Sequence, residues 1–403
     1  MRSTRPLMWV LPLALAGSLA LTACSNGSSS SSAGSSSSGG GLGSSGGGQT
    51  YKIAFQGPLS GDNQVLGINE VNAAQVAIDE ANKSGNLGFK LALLRADDQG
   101  DSSVAPTAAA AVIQDSSVLG VVGPAFSGPT KATATTYATA GLSLISPSAT
   151  NDKLTTSGFT AFHRVVPPDS LEGNELSAYL VKKAYKKVVV IDDLSVYGKG
   201  VSDTVQAALK KAGVTVQRLG VDAKTTDYGA TATTVVASGA QAMFYGGYDA
   251  QASLLAKALT AAHFTGVRYG GNGDKSTKFS SGAGAAGDGW LFSCGCSDAV
   301  TAPTAKAFTT AYKAAFHTDP STYSPEAFDA TNAMIDAIKT AAKAGTPTRK
   351  AVGDAVNQLN FQGITTTVKF DQSGELAASS QIINLFTQKN GVITILGDIK
   401  EQN

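Results

Sequence analysis

Two loops carry the residue types from which a small anion could be held. The first, Gly123-Pro124-Ala125-Phe126-Ser127-Gly128-Pro129-Thr130, follows the apolar run Val118–Val122 and leads into a helical pattern that starts near Gly128. A helix N-terminus offers free N–H groups and a partial positive charge, so an anion fits there; Ser127 adds a hydroxyl. A plain Ser cap accounts for the same residue. The second loop, Ser146-Pro147-Ser148-Ala149-Thr150-Asn151, ends the next apolar run, Leu142–Ser146, and turn-forming composition accounts for it equally. Two such loops on consecutive strand ends make a shared site a stronger reading than either loop alone. Further along, Val196-Tyr197-Gly198-Lys199-Gly200, Tyr245-Gly246-Gly247-Tyr248-Asp249 and Gly270-Gly271-Asn272-Gly273-Asp274 each end a strand with glycine and a polar or aromatic side chain. Simple turns, with Tyr197 packed on its own lobe, are the plainer reading of these.

Other chemistries find less support. Gly282-Ala283-Gly284-Ala285-Ala286-Gly287 has the G-x-G-x-x-G spacing, but it follows Lys278-Phe279-Ser280-Ser281 and precedes the turn Asp288-Gly289-Trp290, so no strand feeds it and no nucleotide site is expected. There is no H-E-x-x-H and no P-loop, and no nucleophile-base pair emerges. The carboxylate pairs Asp97-Asp98 and Asp192-Asp193 stand at strand ends, where adjacent acids more often cap or face water. His163, His263 and His317 have no ligand spacing to Cys294 and Cys296, so no metal and no cofactor is expected. Cys294-Gly295-Cys296 leaves two readings open: a bridge, for which Gly295 permits the bend, or two reduced thiols. The chain carries 31 Lys+Arg against 30 Asp+Glu, with no basic-aromatic clustering, so nucleic acid is not an expected partner.

The elements that must position these loops follow from periodicity. Lys52–Phe55 reads as a strand and Gly67–Ser84 as a helix with Val71, Ala74, Ile78 and Ala81 on one face. Strand Phe89–Ala96, helix Val104–Gln114, strand Val118–Val122, helix Gly128–Ala140 and strand Leu142–Ser146 continue a βαβα rhythm. After Arg164-Val165-Val166-Pro167-Pro168 the rhythm restarts. Helix Leu171–Lys183 leads to strand Lys187–Asp192, and alternation runs on to strand Val267–Gly270. Residues 302–359 are mainly helical, and the last 40 read as strands. This is α/β architecture in two Rossmann-like lobes, with a ligand cleft expected between them at the carboxyl ends of the strands.

The N-terminus reads as an export signal. Arg2 and Arg5 precede the 14-residue apolar stretch Leu7–Ala20, and Leu21-Thr22-Ala23-Cys24 closes it. The stretch is shorter than the ~20 residues a membrane span needs, and Pro12 interrupts it. The junction resembles the bacterial lipobox, which implies lipidation at Cys24. Of the 24 residues Ser25–Gly48, 21 are Ser or Gly. Such a run buries nothing and acts as a flexible tether with a root-mean-square reach of roughly 25–30 Å. An extracytoplasmic location, lipid-anchored to the cell membrane, is the expectation.

The motifs taken in order carry a family resemblance. Ile53–Gly61 (IAFQGPLSG), Gly67–Ala81, Val121-Val122-Gly123, Ile145–Asn151, Phe162-His163-Arg164, Asp193–Gly200, Phe244–Tyr248 and Pro325–Ala330 stand in register over Tyr51 to about Asp398. The series resembles the extracytoplasmic solute-binding proteins of ABC importers for branched-chain amino acids, the Leu/Ile/Val type with the type I periplasmic-binding fold. The resemblance implies two lobes joined by a multi-strand hinge: a signal peptide at 1–23, a lipid-anchored linker at 24–49, lobe 1 at 50–168 with 298–375, and lobe 2 at 169–297 with 376–403. It implies a monomer that binds an amino acid or related small carboxylate and passes it to an ABC permease. Ser127 and the Thr150 backbone would hold the carboxylate. The Ser148 carbonyl and Thr150 hydroxyl would take part of the ammonium. Tyr197 and Tyr248 would close from the second lobe, and Leu66, Phe126 and Tyr323 would line the side-chain pocket. The family's Gly-x-Glu/Asp-Gly loop usually supplies an acid to the ammonium, whereas Gly271-Asn272-Gly273 supplies none. Asp274 or Asp249 would then replace it, or the ligand is not a simple α-amino acid. The first-lobe disulfide common in enteric members is also missing. A ligand sensor of the same fold and, less favoured, an exported enzyme are the rival readings.

Overall fold

The computed structural model describes residues 48–402, so Cys24 and most of the Ser/Gly run lie outside the described residues. The first half of the chain alternates strand and helix: β1 (Thr50–Gly57), α1 (Gln64–Ser84), β2 (Lys90–Asp97), α2 (Ala105–Gln114), β3 (Val118–Val122), α3 (Ser127–Thr139), β4 (Leu144–Ser146), α4 (Lys153–Thr156) and β5 (Phe162–Arg164). These strands form a five-stranded parallel sheet in the order β2-β1-β3-β4-β5. Its central strands read as unbroken apolar runs because helices cover both faces: Ile53, Ala54, Phe55, Val121 and Val122 are fully buried.

The chain then crosses to a second unit: α5 (Asp169–Lys182), β6 (Lys187–Asp192), α6 (Val196–Lys211), β7 (Thr215–Gly220), α7 (Gly229–Ser238), β8 (Ala242–Gly246), α8 (Asp249–Ala261), β9 (Val267–Gly270), α9 (Thr277–Ala283) and β10 (Leu291–Cys294). It returns to the first sheet for α10 (Lys306–Phe316), α11 (Ser324–Ala342), α12 (Arg349–Val356) and the short hairpin β11 (Phe361–Gln362) and β12 (Thr367–Val368). The third crossing delivers β13 (Asn384–Lys389) and β14 (Val392–Asp398) to the second sheet, whose order is β14-β13-β10-β9-β8-β6-β7. That sheet is parallel except where β13 pairs antiparallel with β10 and β14. Val188–Ile191 at its centre are fully buried.

The α/β expectation holds, and most elements fall within a few residues of the periodicity. The helix expected from Gly67 starts at Gln64. The tail expected as strands is mostly irregular before β13. The Gly282–Gly287 run ends α9 and turns through a 3-10 segment, not a strand-to-helix turn. Cys294 and Cys296 are bridged, with Cα atoms 5.1 Å apart. A side chain on Gly295 between them would strike Pro167 of the first crossing and meet Ile383 of the third, so the three crossings converge at the bridge. Among the described residues no group of His, Cys, Asp and Glu could hold a metal ion, and no helix is long and apolar enough to cross a membrane.

Candidate functional site

The carboxyl ends of the parallel strands in both sheets face one cavity. On the first-sheet side, Gly123 adopts φ +111° and approaches Gln56 O so closely that no side chain would fit. This turn sends Ala125, Phe126 and Ser127 toward the second lobe. Phe126 takes the cap position of α3, and Ser127 is its first helical residue, with no side-chain cap bond. The plain-cap reading of Ser127 therefore gives way to another role: its Oγ accepts the Asn151 N–H at 3.2 Å. Ser146 Oγ donates to Pro124 O (2.7 Å) and Ser148 Oγ donates to Ala125 O (2.7 Å). The two loops are thus one hydrogen-bonded unit.

From the second lobe, the Tyr197 ring enters at the start of α6, where the Ser195 side chain accepts the Gly198 N–H. Tyr197 OH accepts the Gly273 N–H at 3.2 Å. Tyr248 stacks on Phe126 across the cleft, centroids 4.2 Å apart and planes 19° off parallel, and it tilts against Tyr197 at 5.5 Å. Tyr323, from the segment before α11, completes the wall. It holds φ +65°, a left-handed conformation rare for a bulky residue. Its OH is buried without a partner.

Leu66, Ala125, Phe126, Ser127, Ser148, Tyr197, Tyr248, Asn272, Gly273 and Tyr323 enclose a cavity of about 10 Å³. That is room for roughly one water; the lobes stand closed. A cross-lobe latch supports closure: Asn151 Nδ2 donates to Val196 O (2.9 Å) and lies 3.3 Å from Asp169 Oδ2. Thr150 is not on the cavity wall. Its buried hydroxyl sits beside the Asp169 carboxyl instead.

Asn272 is held by an acid that sequence reading did not identify. Its N–H and Nδ2 both donate to Glu172, in the first turn of α5, and Ser293 Oγ donates to the same carboxylate at 2.7 Å. Burial pushes Glu172 up to about 7 despite those donors. Because a carboxylate only accepts, the Asn272 amide must turn Nδ2 toward Glu172, which leaves Oδ1 as the acceptor free of it. Neither sequence-expected substitute reaches the cavity wall. Asp274 Oδ2 accepts the Gly271 N–H (3.0 Å) within its own turn, while Asp249 is bonded to Ser276 Oγ (2.5 Å) and Ala250 N (2.8 Å). A second fully buried acid, Glu70 on α1, lies one helical turn beyond Leu66. Glu172 and Glu70 gave no sequence signal because both sit inside helical patterns, and Glu172 lies 100 residues from its partner Asn272.

Two α/β lobes, three crossings and a closed cavity between strand ends define a two-lobed ligand-binding protein. The chain belongs to the periplasmic binding protein family, whose model matches residues 50–385. It is 33% identical over 254 residues to the Leu/Ile/Val-binding protein BraC3 of Rhizobium johnstonii, covering 62% of this chain and 68% of that one. It is 27% identical to the leucine-, isoleucine-, valine-, threonine- and alanine-binding protein of Pseudomonas aeruginosa, covering 81% and 87%. Among solved structures it resembles the branched-chain amino acid transporter substrate-binding protein LivJ of Streptococcus pneumoniae in complex with isoleucine. There the TM-score is 0.78 and the identity 29%, covering 87% of this chain and all of that one.

Proposed function

We propose that this chain binds an amino acid between its lobes and delivers it, outside the cytoplasm, to an ABC permease, as a monomer without catalysis. The observation that carries the reading is the cavity itself: hydroxyls, an amide and aromatic rings converge from both lobes on one enclosed space. Ser127 would hold the carboxylate at the start of α3, where the helix dipole favours an anion. Tyr197, Tyr248 and Asn272 would close over the ligand from the second lobe, with Leu66, Phe126 and Tyr323 against its side chain. The Ser148 carbonyl and Thr150 would complete the polar contacts once the cavity opens to fit the ligand. Ligand touching both lobes only when they close would shift the equilibrium toward the closed form. Lobe 1 would comprise 50–168 with 298–375, and lobe 2 169–297 with 376–403. Cys24 would carry the lipid anchor.

Calorimetric titration with the twenty amino acids, after denaturing and refolding to strip carried-over ligand, tests the reading. Binding of at least one of them at micromolar affinity or better is expected. No binding by any would overturn it. Cys24→Ser should move the protein out of the membrane fraction; unchanged retention would refute the anchor.

A further inference from the structure

Glu70 is the polar group in this molecule whose surroundings explain it least. It sits within α1, fully buried, and neither carboxyl oxygen has a hydrogen-bond partner. Among the described residues no lysine, arginine or histidine forms an ion pair with it. Its charged neighbours, Glu326 and Asp98, are themselves acids. A buried carboxylate left this way is costly, and native proteins keep such groups where something completes them.

The position says what completes it. Leu66 precedes Glu70 by four residues, so the two share a face of α1, and Leu66 lines the cavity. Ser148, also on the cavity wall, is the hydroxyl beside Glu70, but its proton is committed to Ala125 O. Tyr323, a third wall residue, lies within electrostatic reach of Glu70 and has an unpartnered OH of its own. Leu66, Ser148 and Tyr323 therefore frame an orphaned acid directly behind the wall. On the opposite side the Asn272 loop, neutral itself, has its local acid Glu172 already satisfied by three donors.

We propose that Glu70 is the counter-ion for an ammonium group of the bound ligand, taking over from the Asn272 loop the charge that this loop lacks. The inference rests on the amino-acid reading of the cavity and narrows it: a ligand with an ammonium group is preferred over the same skeleton without one, which offers Glu70 no partner. Desolvation holds Glu70 well above the ordinary carboxyl range in the free protein, with Glu326 and Asp98 adding to it and Ser148 opposing. Docking an ammonium stabilises the ionised form. The carboxyl O–H then breaks, its proton leaves to the buffer, and carboxylate and ammonium remain paired.

The test is titration calorimetry of wild type and Glu70→Gln with two matched pairs. Leucine against 4-methylpentanoate removes an α-ammonium; lysine against norleucine removes a side-chain ammonium. In wild type at least one pair should differ by a hundredfold or more in affinity. In Glu70→Gln that ratio should collapse to within about tenfold, and the pair that collapses says which ammonium Glu70 reads. Wild type titrated in buffers of different ionisation enthalpy should release up to one proton with the ammonium ligand and none with its partner. That measurement stands even if the variant misfolds. A preserved ratio in Glu70→Gln, or equal proton release within both pairs, overturns the assignment while leaving amino-acid binding intact. Failure of all twenty amino acids to bind wild type removes the parent reading and this one with it.

Discussion

Asn272 and Glu172 form one unit, and that unit titrates. Glu172 accepts from Asn272 N, Asn272 Nδ2 and Ser293 Oγ, with Tyr197 and Asp169 among the groups around it. Its pKa is raised from 4.5 to about 7 by burial. A raised acid binds more protons in the native than in the unfolded state between those values. Its contribution to stability is therefore complete below about 4.5 and is lost as pH rises through about 7. We expect the thermal midpoint of wild type, measured relative to Glu172→Gln, to fall between pH 4.5 and 7; the pH-independent cost of the substitution cancels in that slope. A flat difference would show that Glu172 is ionised throughout. Much of this neighbourhood was legible in the sequence: the family resemblance singled out the missing acid at Asn272, and the two first-lobe loops and the three glycine-flanked strand ends stood out by type and spacing. Glu172 did not, because its partner Asn272 is 100 residues away and only the fold brings them together. The Thr150 loop was recognised, but the neighbour of its hydroxyl, Asp169, comes from the other side of the first crossing and gave no local signal.

At the scale of elements, the strongest sequence signals were those where local pattern and tertiary burial agree. The strand Val188-Val189-Val190-Ile191 and the face of α1 are examples: the strand is fully buried, and so are Val71, Ala74 and Ile78, with Ala81 half-buried at the end of the face. Two short strands escaped: β5 has three residues and β10 has four, and their hydrogen-bonded neighbours, not their own sequences, make them strands. The end of β10 carries the Cys294–Cys296 bridge into the second crossing, against Pro167 and Ile383. A three-residue loop closes little chain, so replacing both cysteines by serine should cost only about 1–2 kcal/mol. The larger effect should be local. Hydrogen exchange should quicken in residues 294–298 and in the neighbouring crossings at 165–168 and 381–383, with the sheet centres unchanged. Uniform acceleration across both sheets would mean that the bridge supports global stability instead.

For the whole molecule, function depends on how closely the lobes approach. The approach is steric as well as polar. Gly200 on α6 faces Asn151 from the first lobe, and a β-carbon there would collide with Asn151 Nδ2 and come within 2.6 Å of Asp169 Oδ2. Asn151 in turn spans the cleft to Val196 O at 2.9 Å. Gly200→Ala should therefore wedge the lobes apart while leaving each sheet and its core untouched. If the closed form is the binding-competent one, apparent affinity falls in proportion to its lost population, so about a tenfold or greater loss is expected for whichever amino acid wild type binds. The scattering radius of gyration in saturating ligand should exceed that of wild type. Truncating the struck side chain supplies the control: Asn151→Ala in the Gly200→Ala background removes the main obstacle, leaves only the movable end of Asp169, and should restore much of the compaction without restoring the latch. If Gly200→Ala closes and binds like wild type, the contact at Asn151 yields easily and does not limit the approach of the lobes. If the double variant stays as open as the single one, Asp169 within the second lobe is the obstacle, and the wedge does not act across the cleft.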